Sequence, residues 1–169
     1  MKIRLFLILC LSLAPVTAWA ASPVVEERDD DGDGYKESKV TTQGNEIIKV
    51  QVDSNKDKKY DRTFYFKNGV PSSAERDGDL NGKIDTWIQY DAKGETVVVA
   101  TDKRVDGKPD YWRFLKNGSI HKREFDRNFD GKSDLRIIEN NGRLVEKDYD
   151  DNFDGKFERN EKAPHGSQP

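Results

Sequence analysis

Asp77-Gly78-Asp79-Leu80-Asn81-Gly82-Lys83-Ile84-Asp85, followed at once by Thr86-Trp87-Ile88-Gln89-Tyr90, joins an oxygen-rich loop to a run of β-formers. The loop pattern, Asp-x-(Asp/Asn/Arg)-x-(Asp/Asn)-(Gly/Lys)-x-x-(Asp/Glu), occurs six times, starting at Asp29, Asp53, Asp77, Asp102, Asp126 and Asp150, at offsets of 24, 24, 25, 24 and 24 residues. A fixed period in the twenties marks a repeat architecture. Oxygen-bearing side chains at loop positions 1, 3, 5 and 9, with glycine at 6 for the sharp turn, let a short segment wrap a hard cation. The preference of Asp, Asn and Gly for solvated turns accounts for part of this pattern, but not for a carboxylate at position 9 in all six copies.

Between the loops the chain reads as β-hairpins. The runs Asp61–Phe66, Asp85–Tyr90, Asp110–Leu115 and Asp134–Ile138 are rich in β-branched and aromatic residues. Each meets a turn at Asn68-Gly69, Lys93-Gly94, Asn117-Gly118 or Asn141-Gly142, and Gln43-Gly44-Asn45 serves more loosely in the first repeat. A return strand follows, as in Ile48–Val52 and Thr96–Ala100. These elements predict an all-β chain: an antiparallel meander of about ten strands, forming an elongated twisted ribbon or solenoid, with a closed barrel or propeller-like ring as the alternative. Phe64, Phe66, Ile88 and Tyr90 share one strand phase while Trp112 and Phe114 take the other, so both faces are expected to carry apolar side chains. The extra residue of the third repeat falls between Trp87 and Gly94, where a bulge is the expected accommodation.

The six loops differ in their donors. Loop one offers Asp29, Asp31, Asp33 and Glu37; loop three Asp77, Asp79, Asn81 and Asp85; loop five Asp126, Asn128, Asp130 and Asp134; loop six Asp150, Asn152, Asp154 and Glu158. Loop two keeps Asp53, Asn55, Asp57 and Asp61 but has Lys58 at the glycine position, which predicts a strained turn and a weaker site. Loop four has Arg104 at position 3 among Asp102, Asp106 and Asp110. A guanidinium cannot ligate a cation but can pair with carboxylates, so this loop is expected to be metal-free and held by Arg104. Position 7 is Tyr35, Lys59, Lys83, Lys108, Lys132 and Lys156, where the main-chain carbonyl is the expected donor and the side chain points to water. The cofactor this predicts is Ca2+, up to five ions per chain; magnesium tolerates such flexible all-oxygen loops less well.

The segment Asp77–Asp85, flanked by strands, resembles the nine-residue β-hairpin calcium loops of integrin α-subunit propeller blades and related bacterial secreted repeats. The resemblance implies side-chain ligation at positions 1, 3, 5 and 9 and a carbonyl from 7. It covers the loops alone, because the 24-residue period is much shorter than a propeller blade. The loops also differ from an EF-hand, since strands replace the flanking helices and the last acid stands at 9 rather than 12.

Residues 1–20 read as a secretory signal peptide: Lys2 and Arg4 precede the apolar run Leu5–Leu13, and Ala18-Trp19-Ala20 offers a small-x-small cleavage site. Residues 21–28 read as a linker, 29–160 as the repeat domain and 161–169 as a disordered tail. The localisation implied is secreted or periplasmic, with no stable membrane insertion once the leader is removed. The single cysteine, Cys10, falls within that leader, which leaves neither disulfides nor thiolate metal sites. With Lys2 and Arg4 set aside, 27 basic residues face 32 acidic ones, a balance of −5, and their interleaving leaves no basic stripe for nucleic acid. Of the 149 residues from Ala21 onward only 29 are Val, Ile, Leu or Phe, so something besides an apolar core must hold the chain.

The function these features predict is a calcium-rigidified β-sheet scaffold that meets another protein or a cell-envelope polysaccharide. The alternative is a calcium-dependent carbohydrate-binding module using Trp87, Tyr90, Tyr111 and Trp112 as stacking platforms. Catalysis is not expected: the chain has only His121 and His165, no nucleophile-elbow motif, and acids whose spacing assigns them to the loops. Asn117-Gly118-Ser119 matches a glycosylation acceptor, but these residues are first of all a hairpin turn.

Overall fold

In a computed structural model, which describes residues 21–164, the chain forms one antiparallel sheet of twelve strands in strict sequence order. They are β1 (Val24–Arg28), β2 (Ser38–Gln43), β3 (Glu46–Val52), β4 (Arg62–Lys67), β5 (Val70–Arg76), β6 (Thr86–Tyr90), β7 (Thr96–Thr101), β8 (Tyr111–Lys116), β9 (Ser119–Phe125), β10 (Leu135–Asn140), β11 (Arg143–Tyr149) and β12 (Arg159–Lys162). The all-β meander predicted by the sequence is the fold. The barrel or ring is not formed: among the described residues β1 pairs only with β2 and β12 only with β11, so the sheet is open.

Two strands more than expected come from the ends of the described chain. Val24–Arg28, read as linker, pairs along its whole length with β2. Glu161 and Lys162, read as tail, pair with Lys147 and Glu146, and the Ala163 N–H donates to the Val145 carbonyl at 2.8 Å. Neither segment has a strand pattern of its own; each is recruited because the neighbouring strand presents unpaired backbone groups. The leader over 1–20 and the final residues 165–169 lie outside the described residues.

The hairpins share one construction. Asn68-Gly69, Asn117-Gly118 and Asn141-Gly142 are left-handed at both turn positions, with φ of 53° and 75°, 51° and 74°, and 50° and 75°, the type I′ turn that matches strand twist. Every hairpin also slips register once near its turn: at Thr41/Thr42, Tyr65/Phe66, Gln89/Tyr90, Phe114/Leu115 and Ile138/Glu139. Since this irregularity is common to all five, it does not accommodate the extra residue of the third repeat, contrary to the expectation. The turn does. Asp91–Glu95 is widened, with the Asp91 carboxylate accepting the N–H groups of Lys93 at 2.8 Å and Glu95 at 3.0 Å.

Register sets apolar side chains on both faces, in the opposed phases the sequence predicts. Val40, Val50, Phe64, Ala74, Ile88 and Val99 form one cross-strand row. Trp87, Ala100 and Trp112 form another, on the opposite face. A single open sheet cannot bury either row well. Among the described residues the buried apolar ones are Val40, Ala74 and Ala100, while the largest fully buried side chains are three carboxylates, Asp53, Asp134 and Asp150. Among the described residues there is no helix.

Candidate metal centres

All six loops lie along one edge of the sheet, the end opposite the hairpin turns, and the backbone ties them into a row. The position-1 N–H of each of loops two to six donates to the position-9 carbonyl of the loop before it: Asp53 to Glu37, Asp77 to Asp61, Asp102 to Asp85, Asp126 to Asp110 and Asp150 to Asp134, at 2.8–3.0 Å. The position-9 N–H closes each of these five loops on the residue preceding it, as Asp61 does on Val52 at 2.8 Å.

Within each loop the acids cap the backbone in a repeated scheme. The position-1 carboxylate accepts the position-6 N–H in all six, from Gly34 to Asp29 at 2.8 Å through Gly155 to Asp150 at 2.7 Å. The position-9 carboxylate reaches back to the position-2 N–H in all six, Ser54 to Asp61 and Arg127 to Asp134 being the shortest at 2.6 Å. Side-chain oxygens at position 5 take the position-7 N–H throughout. Those at position 3 take the position-5 N–H in every loop except loop four, where Arg104 offers no acceptor. The carboxylate at position 9 is thus a loop-closing cap as well as a candidate ligand, which explains its presence in loop four too.

This scheme turns the carboxylates inward. Asp53, Asp61, Asp77, Asp102, Asp110, Asp126, Asp134 and Asp150 are all buried, and among the described residues none of their carboxylates forms an ion pair with Lys or Arg, the Arg127 guanidinium meeting only the backbone carbonyls of Asp134 and Asp150 at 3.2 Å. Burial alone would push the Asp53 carboxyl up, but hydrogen bonds from the Tyr35 hydroxyl and from the N–H of Lys58 hold it below the ordinary carboxylate range. A buried carboxylate without an ionic partner is costly unless a cation joins it. Asp134 shows the deficit most directly: it is 0% exposed, its Oδ2 accepts the N–H of Arg127 and of Asn128, and its Oδ1 accepts nothing.

In five loops the acids gather so that one ligand oxygen from each lies within 4.8 Å of the others: Asp29, Asp31, Asp33 and Glu37; Asp53, Asp57 and Asp61; Asp77, Asp79 and Asp85; Asp126, Asp130 and Asp134; Asp150, Asp154 and Glu158. These groups could each hold a metal ion. The side-chain oxygens of Asn55, Asn81, Asn128 and Asn152 stand in the same loops and cap backbone N–H groups. Asp102, Asp106 and Asp110 form no such group among the described residues. The pairing expected of Arg104 is also not formed. Its guanidinium lies over the Phe129 ring of loop five, 4.0 Å from the centroid, and only its backbone N–H reaches Asp102, at 3.0 Å. Stacking on an exposed ring offered by the neighbouring loop keeps the charge solvated, whereas insertion among the acids would desolvate it.

The position-7 side chains do not all point to water. Tyr35 donates a short hydrogen bond from its hydroxyl to Asp53 of loop two, and that carboxylate pushes the phenol up to about 12. Lys59 lies across Gly82 of loop three so closely that a Cβ there would stand 2.6 Å from its Nζ, and Lys132 lies similarly across Gly155 of loop six. Lys156 stays beside its own Asp154 at 3.9 Å, and Lys83 is exposed. Loops are thus locked to their neighbours by side chains as well as by backbone.

Position 4 carried no sequence expectation, yet it is left-handed in all six loops: Gly32, Lys56, Leu80, Val105, Phe129 and Phe153, with φ between 60° and 79°. Five of these are not glycine, so the loop imposes the conformation against intrinsic preference. Leu80, Val105, Phe129 and Phe153 are consequently thrown outward and exposed. Of the four aromatics expected to form a platform, Trp87 and Trp112 share a face on either side of Ala100, while Tyr111 projects from the opposite face and Tyr90 lies past the register slip.

No protein-family model matches this chain, and a search of curated proteins finds no match either.

Proposed function

We propose that the chain is a secreted or periplasmic calcium-binding scaffold, with up to five Ca2+ ions along the loop edge holding the open sheet rigid for contact with a partner protein or cell-envelope polymer. The observation that supports this reading is the five converging acid groups, with the buried, unpartnered Oδ1 of Asp134 among them. Hard, all-oxygen, mostly anionic donors on flexible loops favour calcium over magnesium or zinc. The resemblance of Asp77–Asp85 to integrin-type β-hairpin loops supports the same assignment. The proposal is of a binding protein rather than an enzyme.

Calorimetric titration of the chain from Ala21 onward is expected to give up to five calcium ions and a far weaker response to magnesium. Arg104→Asp restores the missing position-3 oxygen of loop four and should add one ion. Binding of fewer than three ions, or an equal preference for magnesium, would overturn the proposal.

A second reading is favoured by one observation. Trp87 and Trp112 are each directly opposite Ala100, on the same face, with Glu75 and Glu124 completing the row. Two strand spacings set the two tryptophan backbones about 10 Å apart, on either side of a small residue and beside acceptors, an arrangement able to stack sugar rings. On this reading Trp87→Ala or Trp112→Ala abolishes retention on an insoluble polysaccharide without lowering the unfolding midpoint. Absence of retention in the parent protein would leave the tryptophans as sheet packing alone.

A further inference from the structure

Loop one differs from the other loops in what its acids face. Lys56, the position-4 residue of loop two, extends back so that its Nζ is 2.9 Å from Asp31 Oδ2, 3.3 Å from Glu37 Oε1 and hydrogen-bonded to Asp33 Oδ2. These three acids belong, with Asp29, to the group whose ligand oxygens converge within 4.8 Å. The ammonium therefore stands where a cation ligated by this loop would stand. At the same position the other loops carry Gly32, Leu80, Val105, Phe129 and Phe153, so no other loop sends a charge to the loop before it from this point.

The fit is incomplete. Glu37 is only 9% exposed, and its Oε1, although near Nζ, accepts no hydrogen bond among the described residues. An ammonium has three directional donors. Here they serve Asp31 and Asp33 and meet Glu37 off axis. A divalent ion, which has no donor directions to align, can use all four acids at once, Glu37 Oε1 included.

Resting on the reading of these loops as calcium sites, we propose that Lys56 is a tethered occupant of the first site, a monovalent cation that calcium must displace. Loop one is then the last site to fill, despite having the largest number of acids, and after loop two, whose Lys58 takes up the left-handed turn at φ 71° and forms no ion pair with that loop's acids among the described residues. The tether supplies Lys56 at high effective concentration whatever the solution contains, so the handicap does not vary with dilution. The displaced side chain leaves loop one altogether, and the strut between loops one and two is lost as the ion enters. The two loops remain joined by Tyr35, whose hydroxyl reaches forward to Asp53.

The test uses calcium alone as the probe. Lys56→Leu places at this left-handed position the residue that loop three already carries there, Leu80 at φ 61°. The weakest calcium-binding step should tighten roughly three- to tenfold, as for removal of one solvent-screened competing charge, with the other steps unmoved. Lys56→Arg should keep the weak step. In the unmodified protein, the Lys56 side-chain NMR signals, assigned by their absence from Lys56→Arg, should move only with the last equivalent of calcium. Identical binding steps in the parent and Lys56→Leu, or Lys56 signals moving with the first equivalent, would overturn the proposal while leaving calcium binding intact. If neither protein binds calcium, the calcium reading itself falls and this proposal with it.

Discussion

On the proposed calcium reading, excess chelator is expected to lower the thermal unfolding midpoint by about 20 °C or more. The apolar side of the folded state is thin, since Val40, Ala74 and Ala100 are its buried apolar residues among those described, and the deepest side chains are Asp53, Asp134 and Asp150. An ion present at a hundredfold its dissociation constant stabilises the fold by about 2.7 kcal/mol, so several such ions together supply on the order of 10 kcal/mol. For a chain of this size each kcal/mol shifts the midpoint by roughly 2–4 °C. Removing the ions also restores mutual repulsion among the gathered acids. Strand signal in circular dichroism should partly survive, because the backbone ladder and the N–H caps do not depend on the ion. A midpoint that is the same in millimolar calcium and in chelator would dispose of the structural role assigned to the metal.

Asp134→Asn should change stability in opposite directions with and without calcium. The side chain is fully buried, and its Oδ2 caps the N–H groups of Arg127 at 2.6 Å and Asn128 at 3.1 Å, functions an amide oxygen can keep. The unpartnered Oδ1 becomes an amide donor in the loop where Asp134 gathers with the Asp126 and Asp130 carboxylates. In chelator this replaces a buried, unpartnered acid oxygen with an amide donor beside carboxylates that can accept it, a gain of about 0.5–1.5 kcal/mol. If loop five holds calcium as proposed, the same change takes an acid ligand from it and should cost about 2–3 kcal/mol in calcium through weakened binding. Urea unfolding in the two buffers gives both signs. Midpoints that shift the same way in both would show that Asp134 serves loop closure only.

Much of this arrangement is legible in the sequence because its local requirements are strong. Asn68-Gly69 and its counterparts admit few conformations besides a tight hairpin turn, and a six-fold recurrence of oxygen side chains fixes which residues face inward. What escapes is whatever depends on a neighbour. Arg159-Asn160-Glu161-Lys162 has no strand propensity and becomes β12 only because β11 offers its edge. Arg104 reads as a partner for the acids beside it in sequence, yet the Phe129 ring that holds it is 25 positions away. The left-handed backbone at Leu80, Val105, Phe129 and Phe153 runs against the usual demand for glycine, because the loop's internal hydrogen bonds outweigh the local preference. The reach of Lys56 and of Tyr35 into each other's loops is invisible to any reading that takes one repeat at a time.

Strict neighbour-to-neighbour pairing from β1 to β12 governs how the molecule responds to pulling. The two edge strands lie near opposite ends of the described chain, so tension between those ends loads the outermost hydrogen-bonded pairs first and peels strands from the rims inward. Each hairpin and loop released frees one 24- or 25-residue repeat, about 80 Å of extended chain. Because each loop is hydrogen-bonded to the one before it, the row of loops acts as a series of catches, letting the chain lengthen in steps of one repeat while the remaining repeats stay folded.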